Sequence, residues 1–87
     1  MTQDLDIEKI DEKMQKDGWS FLGPILNYDK AWKNQASIYE KNGKYIVSGI
    51  DSNGEGELHE PISKNEAEKR IEDSIKEIRK FMIGVSQ

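Results

Sequence analysis

Two Asn-Gly pairs, Asn42-Gly43 and Asn53-Gly54, stand eleven residues apart, flanked by residues that suit strands. Asn-Gly is the strongest short-range hairpin signal, because a type I′ turn needs positive φ at both central positions. Asn tolerates that conformation and Gly adopts it freely. Residues 37–59 are therefore expected to form a three-stranded antiparallel meander onto which the rest of the chain packs.

The registers follow from the turns. With Asn42-Gly43 as loop residues, Lys41 faces Lys44, Tyr39 faces Ile46 and Ile38 faces Val47. With Asn53-Gly54 as the second loop, Gly49 faces Leu58 and Ser48 faces His59. Side chains alternate faces with period two. One face then collects Ala36, Ile38, Tyr45, Val47 and Leu58, a natural bed for helices. The other collects Tyr39, Ile46 and Ile50 among Ser37, Ser48, Glu57 and His59. Those three large apolar groups need a cover from residues 19–26, or else they form a partner site.

Helices are expected over 4–17 and 63–83, both on the aliphatic face. In the first, Ile7, Ile10 and Met14 make a narrow apolar seam, Asp4 is a candidate N-cap, and Gly18 suits the left-handed C′ position. In the second, Ser63-Lys64-Asn65-Glu66 has the form of a capping box. Ala67, Ile71, Ile75, Ile78 and Met82 then repeat along one helical face, and Gly84 is placed to end it. The fold class is α+β, in the order α-β-β-β-α, as one domain spanning residues 1–87.

Residues 19–34 hold both tryptophans and are harder to read. Gly23-Pro24 rules out a continuous helix or a central strand. Residues 19–22 suit a short edge strand and residues 28–32 one helical turn. The aromatics are expected to cap the core; the sharper alternative exposes Trp19, Phe21 or Trp32 as a binding anchor.

Composition limits the chemistry. The chain has no cysteine, which excludes disulfides, thiolate catalysis and cysteine-ligated zinc. No apolar run reaches the length of a membrane helix, and the acidic N-terminus lacks the pattern of a signal peptide. A cytoplasmic protein is the expectation. The net charge of −4 is uneven: residues 1–17 carry six acids and three lysines, and residues 51–62 carry Asp51, Glu55, Glu57 and Glu60 with no lysine or arginine. Such acidity argues against dominant nucleic-acid phosphate binding and favours either basic partners or simple solubility.

Catalytic and metal motifs are absent or incomplete. His59 is the only histidine, with Glu57 two residues away on the same strand face. No serine sits in a nucleophile-elbow pattern. The run from Asp51 to Glu57 matches the start of a calcium loop, but the twelfth position is Ile62 where a bidentate Glu is required. No enzyme activity, cofactor or metal is expected.

The order α-β-β-β-α, with Gly54-Glu55-Gly56 ahead of Ser63-Lys64 and a closing helix, resembles that of double-stranded-RNA-binding domains. The resemblance is one of topology over about half the chain. It implies duplex binding through Lys64, Lys69 and Arg70 at the start of the last helix. Glu66 and Glu68 interrupt that basic cluster, and Glu55, Glu57 and Glu60 would face the same phosphates.

The leading expectation is a small non-catalytic inhibitor or adaptor. Its site would comprise Tyr39, Ile46, Ile50, Asp51, Glu55, Glu57, His59 and Glu60. One version is an acidic decoy that fills the nucleic-acid channel of a basic enzyme, as small phage-encoded inhibitors do. Duplex nucleic-acid binding is the alternative, and an exposed sheet edge could also template a homodimer.

Overall fold

The computed structural model describes residues 6–85, with side chains through residue 80. The chain runs α1 (Ile7–Lys16), β1 (Ser20–Ile25), β2 (Ala31–Lys41), β3 (Lys44–Asp51), β4 (Glu57–Ile62) and α2 (Lys64–Val85). The four strands form one antiparallel sheet in the order β1-β2-β3-β4. The architecture is therefore α-β-β-β-β-α, with one strand more than expected. Asp4, the expected N-cap, lies outside the described residues, and α2 runs through Gly84 instead of ending there.

The extra strand is β1, whose Phe21 pairs with Tyr39 and Ile25 with Ala36. The break expected at Gly23-Pro24 becomes a bulge between Phe21 and Gly23, which an edge strand accommodates. The meander registers are those expected: Tyr39 opposes Ile46, Ile38 opposes Val47, Gly49 opposes Leu58 and Ser48 opposes His59. Asn42 (φ 53°) and Gly43 (φ 79°) both take positive φ, as a type I′ turn requires.

The second turn differs. Only Gly54 is left-handed there (φ 74°), and its N–H donates to the Asp51 carbonyl at 2.9 Å. The Asp51 carboxylate accepts the Asn53 and Glu55 N–H groups at 3.0 and 3.2 Å. This Asx-type closure stabilises a wider loop over the two-residue turn while leaving the register unchanged.

The helices lie on opposite faces of the sheet, correcting the expectation that both share one. Ile25, Tyr28, Ala36, Ile38 and Val47 form a core with Ala67 of α2. Tyr39 and Ile50 form a second core with Ile10 and Met14 of α1, flanked by Trp19 and Ile46. The physical reason lies in the second face itself, because three large apolar side chains there cannot stay hydrated at low cost. The narrow seam of α1 matches them, and α2 already occupies the aliphatic face.

Each helix has a defined boundary. Asp6 caps α1, accepting the Glu8 N–H at 3.0 Å. At the other end the Trp19 N–H donates to the Met14 carbonyl and the Gly18 N–H to that of Gln15, both at 3.0 Å. That pair of bonds is a Schellman motif, and Gly18 supplies its left-handed residue at φ 97°. At the start of α2, Ser63 Oγ accepts the Glu66 N–H at 3.0 Å. The Glu66 carboxylate does not complete the capping box; it accepts from Arg70 Nε at 2.6 Å.

The apolar repeat of α2 is only partly used. Ala67 is buried and Ile71 half-buried, and Ser74 Oγ accepts the Leu26 N–H at 3.1 Å. Beyond that turn Ile75 and Ile78 are 45% and 42% exposed, so they do not face the sheet as the repeat suggested. Met82 lies beyond the described side chains.

Candidate functional site

The acidic residues of the second hairpin do not form one surface. Along β4 the side chains alternate, so Glu57 and His59 lie on the α1 side while Glu60 lies on the α2 side. Glu57 accepts from Lys13 Nζ of α1 at 3.2 Å and from His59 Nε2 at 2.8 Å. Glu60 accepts from Lys30 Nζ at 2.7 Å and from the Tyr28 hydroxyl. Asp51 spends its carboxylate on its own turn. Glu55 is the one acid of the four whose carboxylate has no hydrogen-bond or ion-pair partner among the described residues.

The expected apolar anchors are also engaged within the fold. Tyr39 is fully buried and Ile50 nearly so, with Ile46 half-buried beside them under α1. Tyr39 and Ile50 cannot meet a partner without displacing the helix, whereas Ile46 also borders an open cleft beside it. Among the described residues no group of three or more His, Asp or Glu side chains converges to hold a metal ion, and no helix is long and apolar enough to cross a membrane.

The titrations of the β4 acids follow from these pairs. Hydrogen bonding by His59, then by Lys13, holds the Glu57 carboxyl below its ordinary value of 4.5, against partial desolvation. Lys30 and Tyr28 do the same for Glu60. A carboxyl whose folded pKa is depressed contributes stability above its unfolded pKa and loses it as pH falls through the folded value. Wild-type stability should therefore fall from about pH 5 downward, and the profile of Glu57→Gln/Glu60→Gln should be flatter over that window. Urea denaturation at stepped pH checks this; parallel profiles would contradict it.

His59 joins a chain of contacts that resembles a catalytic relay. Ser48 Oγ lies 3.0 Å from His59 Nδ1, and Nε2 faces Glu57. An ionised Glu57 only accepts, so Nε2 carries the proton and Nδ1 accepts from the Ser48 hydroxyl in the neutral ring. If His59 gains a proton, Nδ1 donates to Ser48 Oγ, whose hydroxyl can turn to Met14 Sδ at 3.5 Å. Every group is satisfied in both states. Ser48 is fully buried beneath Met14, so its oxygen cannot reach a substrate carbonyl. The relay is structural, fastening β4 to β3 and α1.

Two open clefts flank α1. On the β4 side, a cleft of about 610 Å³ is lined by Lys13, Met14, Lys16, Trp19, Ile46 and His59. On the β1 side, one of about 350 Å³ is lined by Ile7, Glu8, Asp11, Glu12, Phe21 and Ser37. The second cleft is where the acidity of the chain gathers around apolar surface. Phe21 is 48% exposed, and its ring meets Tyr39 edge-on at 5.8 Å. Asp11 accepts from the Tyr39 hydroxyl at 2.7 Å and from Gln15 Nε2 at 2.7 Å, both neutral donors, and forms no ion pair among the described residues. Among the described residues Glu8 and Glu12 form no ion pair.

The other candidate aromatics are tied down. Trp19 packs on the α1 core with Lys41 Nζ 5.8 Å from its ring centroid. Trp32 is partly exposed but lies against Gly54, where an added Cβ would come within 3.2 Å of the indole. Of the basic residues implied by the duplex-RNA resemblance, Arg70 is held by Glu66 and lies over the Tyr28 ring, while Lys64 and Lys69 are exposed. The four-stranded order also departs from the three-stranded order on which that resemblance rested.

The signals for the α1–β1 cleft were present in the sequence as separate facts: the acidic first seventeen residues and the possibility of an exposed Phe21. Nothing local joined them, because the pairing of β1 with β2 brings Phe21 under α1. No family model, curated protein or solved structure matches the chain.

Proposed function

We propose that this protein is a small non-catalytic binding module for a basic protein partner, and that the partner docks in the α1–β1 cleft. One observation carries the reading: a half-exposed Phe21 stands beside Glu8, Asp11 and Glu12, three carboxylates that form no ion pair among the described residues. Aromatic anchors are common at the centre of a binding hot spot, and the carboxylates around this one would select a basic partner. The class of partner is the one that the composition favours. The site moves from the β4 rim to α1 because Asp51, Glu57 and Glu60 already have internal partners. An apolar side chain of the partner would sit on Phe21 and Ile7 while lysine or arginine groups reach the α1 carboxylates. The decoy version places these same groups at the basic channel of a nucleic-acid enzyme.

Affinity capture from the native cell, with a set of variants, tests the proposal. The wild type and Glu55→Lys should recover the same stoichiometric basic partner. Phe21→Ala should weaken its binding by about 30-fold or more, the size of a hot-spot truncation. Glu12→Lys should weaken it as well, with a steep salt dependence in the wild type. Circular dichroism controls for folding. Equal capture by Phe21→Ala, or retention of duplex RNA or DNA at low salt with no protein partner, would overturn the reading.

A further inference from the structure

We infer that the stretch of α2 beyond the sheet pairs with α2 of a second copy, antiparallel, about a two-fold axis between Ile75 and Ile78. The sheet supports only the first part of this helix. Ile71 is half-buried, whereas Ile75 and Ile78 are about half exposed, and Ile71 and Ile75 line a shallow groove with Glu68, Glu72, Lys76 and Arg79. The isoleucine spacings of 4 and 3 are those of a helix–helix seam.

The order of charge along the groove selects the occupant. Glu68 and Glu72 stand at its N-terminal end, and Lys76 and Arg79 at its C-terminal end. A two-fold axis is self-complementary, so each copy must offer what the other needs. In antiparallel pairing Ile75 of each copy packs on Ile78 of the other, and each Glu72 lies beside the other copy's Arg79. Parallel pairing would carry Glu72 and Arg79 of the two copies to opposite flanks of the seam, where neither charge meets its complement. Among the described residues Arg79 has no ion-pair partner of its own, and the Lys76–Glu72 pair at 3.4 Å is solvent-exposed, which leaves Glu72 open to a second cation.

The alternative route to a dimer is blunted. The two edge strands, β1 and β4, each carry one of the chain's two prolines, Pro24 and Pro61, and β1 is also bulged. Missing donors and bulges are the usual protections against edge-to-edge pairing. The helix face therefore replaces the sheet edge as the surface for a dimer. A seam of two half-exposed isoleucines per copy is smaller than a standard stable interface, so the dimer is weak and forms in a concentration-dependent way.

Sedimentation equilibrium of the full chain tests this across the micromolar to millimolar range. The weight-average mass should rise from 10.0 kDa toward twice that value. Ile75→Lys, at an exposed site, should stay monomeric throughout. Glu72→Arg and Arg79→Glu should each weaken association by about fivefold or more, since each removes two symmetric pairs. Glu72→Arg/Arg79→Glu should restore it to within about twofold of wild type. A wild type that stays monomeric, a dimer indifferent to Ile75→Lys, or a double variant no better than the singles would each overturn the inference.

Discussion

Gly49→Ala is expected to cost about 3 kcal/mol or more, which is most of the stability of a domain this small. Gly49 opposes Ala36 in the middle of the sheet, next to the register shift between Ala31 and Ala36. That bulge carries the backbone of β2 over β3. A Cβ at Gly49 would lie 2.0 Å from the Gln35 carbonyl oxygen and 2.7 Å from the Ala36 Cα. Both obstacles are backbone, so no side chain can turn aside to make room. The strand would have to shift, and with it the neighbouring Ile38–Val47 pair at the centre of the α2-side core. Thermal denaturation should show a drop in Tm on the order of 15 °C, or no cooperative transition. A change of less than about 0.5 kcal/mol, the scatter of ordinary surface substitutions, would contradict the packing described for the bulge.

Tyr39→Ala is expected to be comparably damaging, at about 3–5 kcal/mol. The ring is wholly buried between β2 and α1, against Ile10 and Met14, and meets Phe21 edge-on. Its hydroxyl donates to Asp11, and burial together with that bond pushes the phenol above its ordinary value. Tyr39→Phe removes the bond alone and leaves Asp11 able to bind water, so its cost should be only about 1 kcal/mol. The contrast between the two variants locates α1. If the helix lay on the other face, Tyr39 would be an exposed strand residue and both substitutions would be mild. Amide exchange adds a regional readout: in Tyr39→Ala the amides of residues 10–16 should exchange much faster, while those at the start of α2 change least.

The sequence made the meander legible because hairpin register is set by local information. Asn42-Gly43 dictates a turn, the turn dictates which residues oppose, and alternation then sorts Ile38 from Tyr39. The Gly18 cap and the Ser63 cap were legible for the same reason. The choice of face for α1 was not. A helix with a seam of Ile7, Ile10 and Met14 fits either side of a sheet, and only the competition with α2 decides between them. The β4 acids illustrate the same limit. Glu57 and Glu60 read as a charged rim in one dimension, but their partners, Lys13 and Lys30, are 44 and 30 residues away. Burial of Tyr39 and Ile50 likewise depends on α1, so a face that looked unexplained turned out to be its packing surface. Ile75 and Ile78 show the reverse case, since a regular apolar repeat gives no sign of where the supporting sheet ends.

The helix that closes the second face also builds the candidate site on its flank. Backbone amide shifts, recorded while the partner recovered by capture is titrated into the labelled protein, test that claim most directly. The largest changes are expected at residues 7–12, at Phe21 and Leu22, and at Ser37, with little change around Glu55 and Glu60. Changes centred on residues 51–60, with α1 and β1 unaffected, would contradict it.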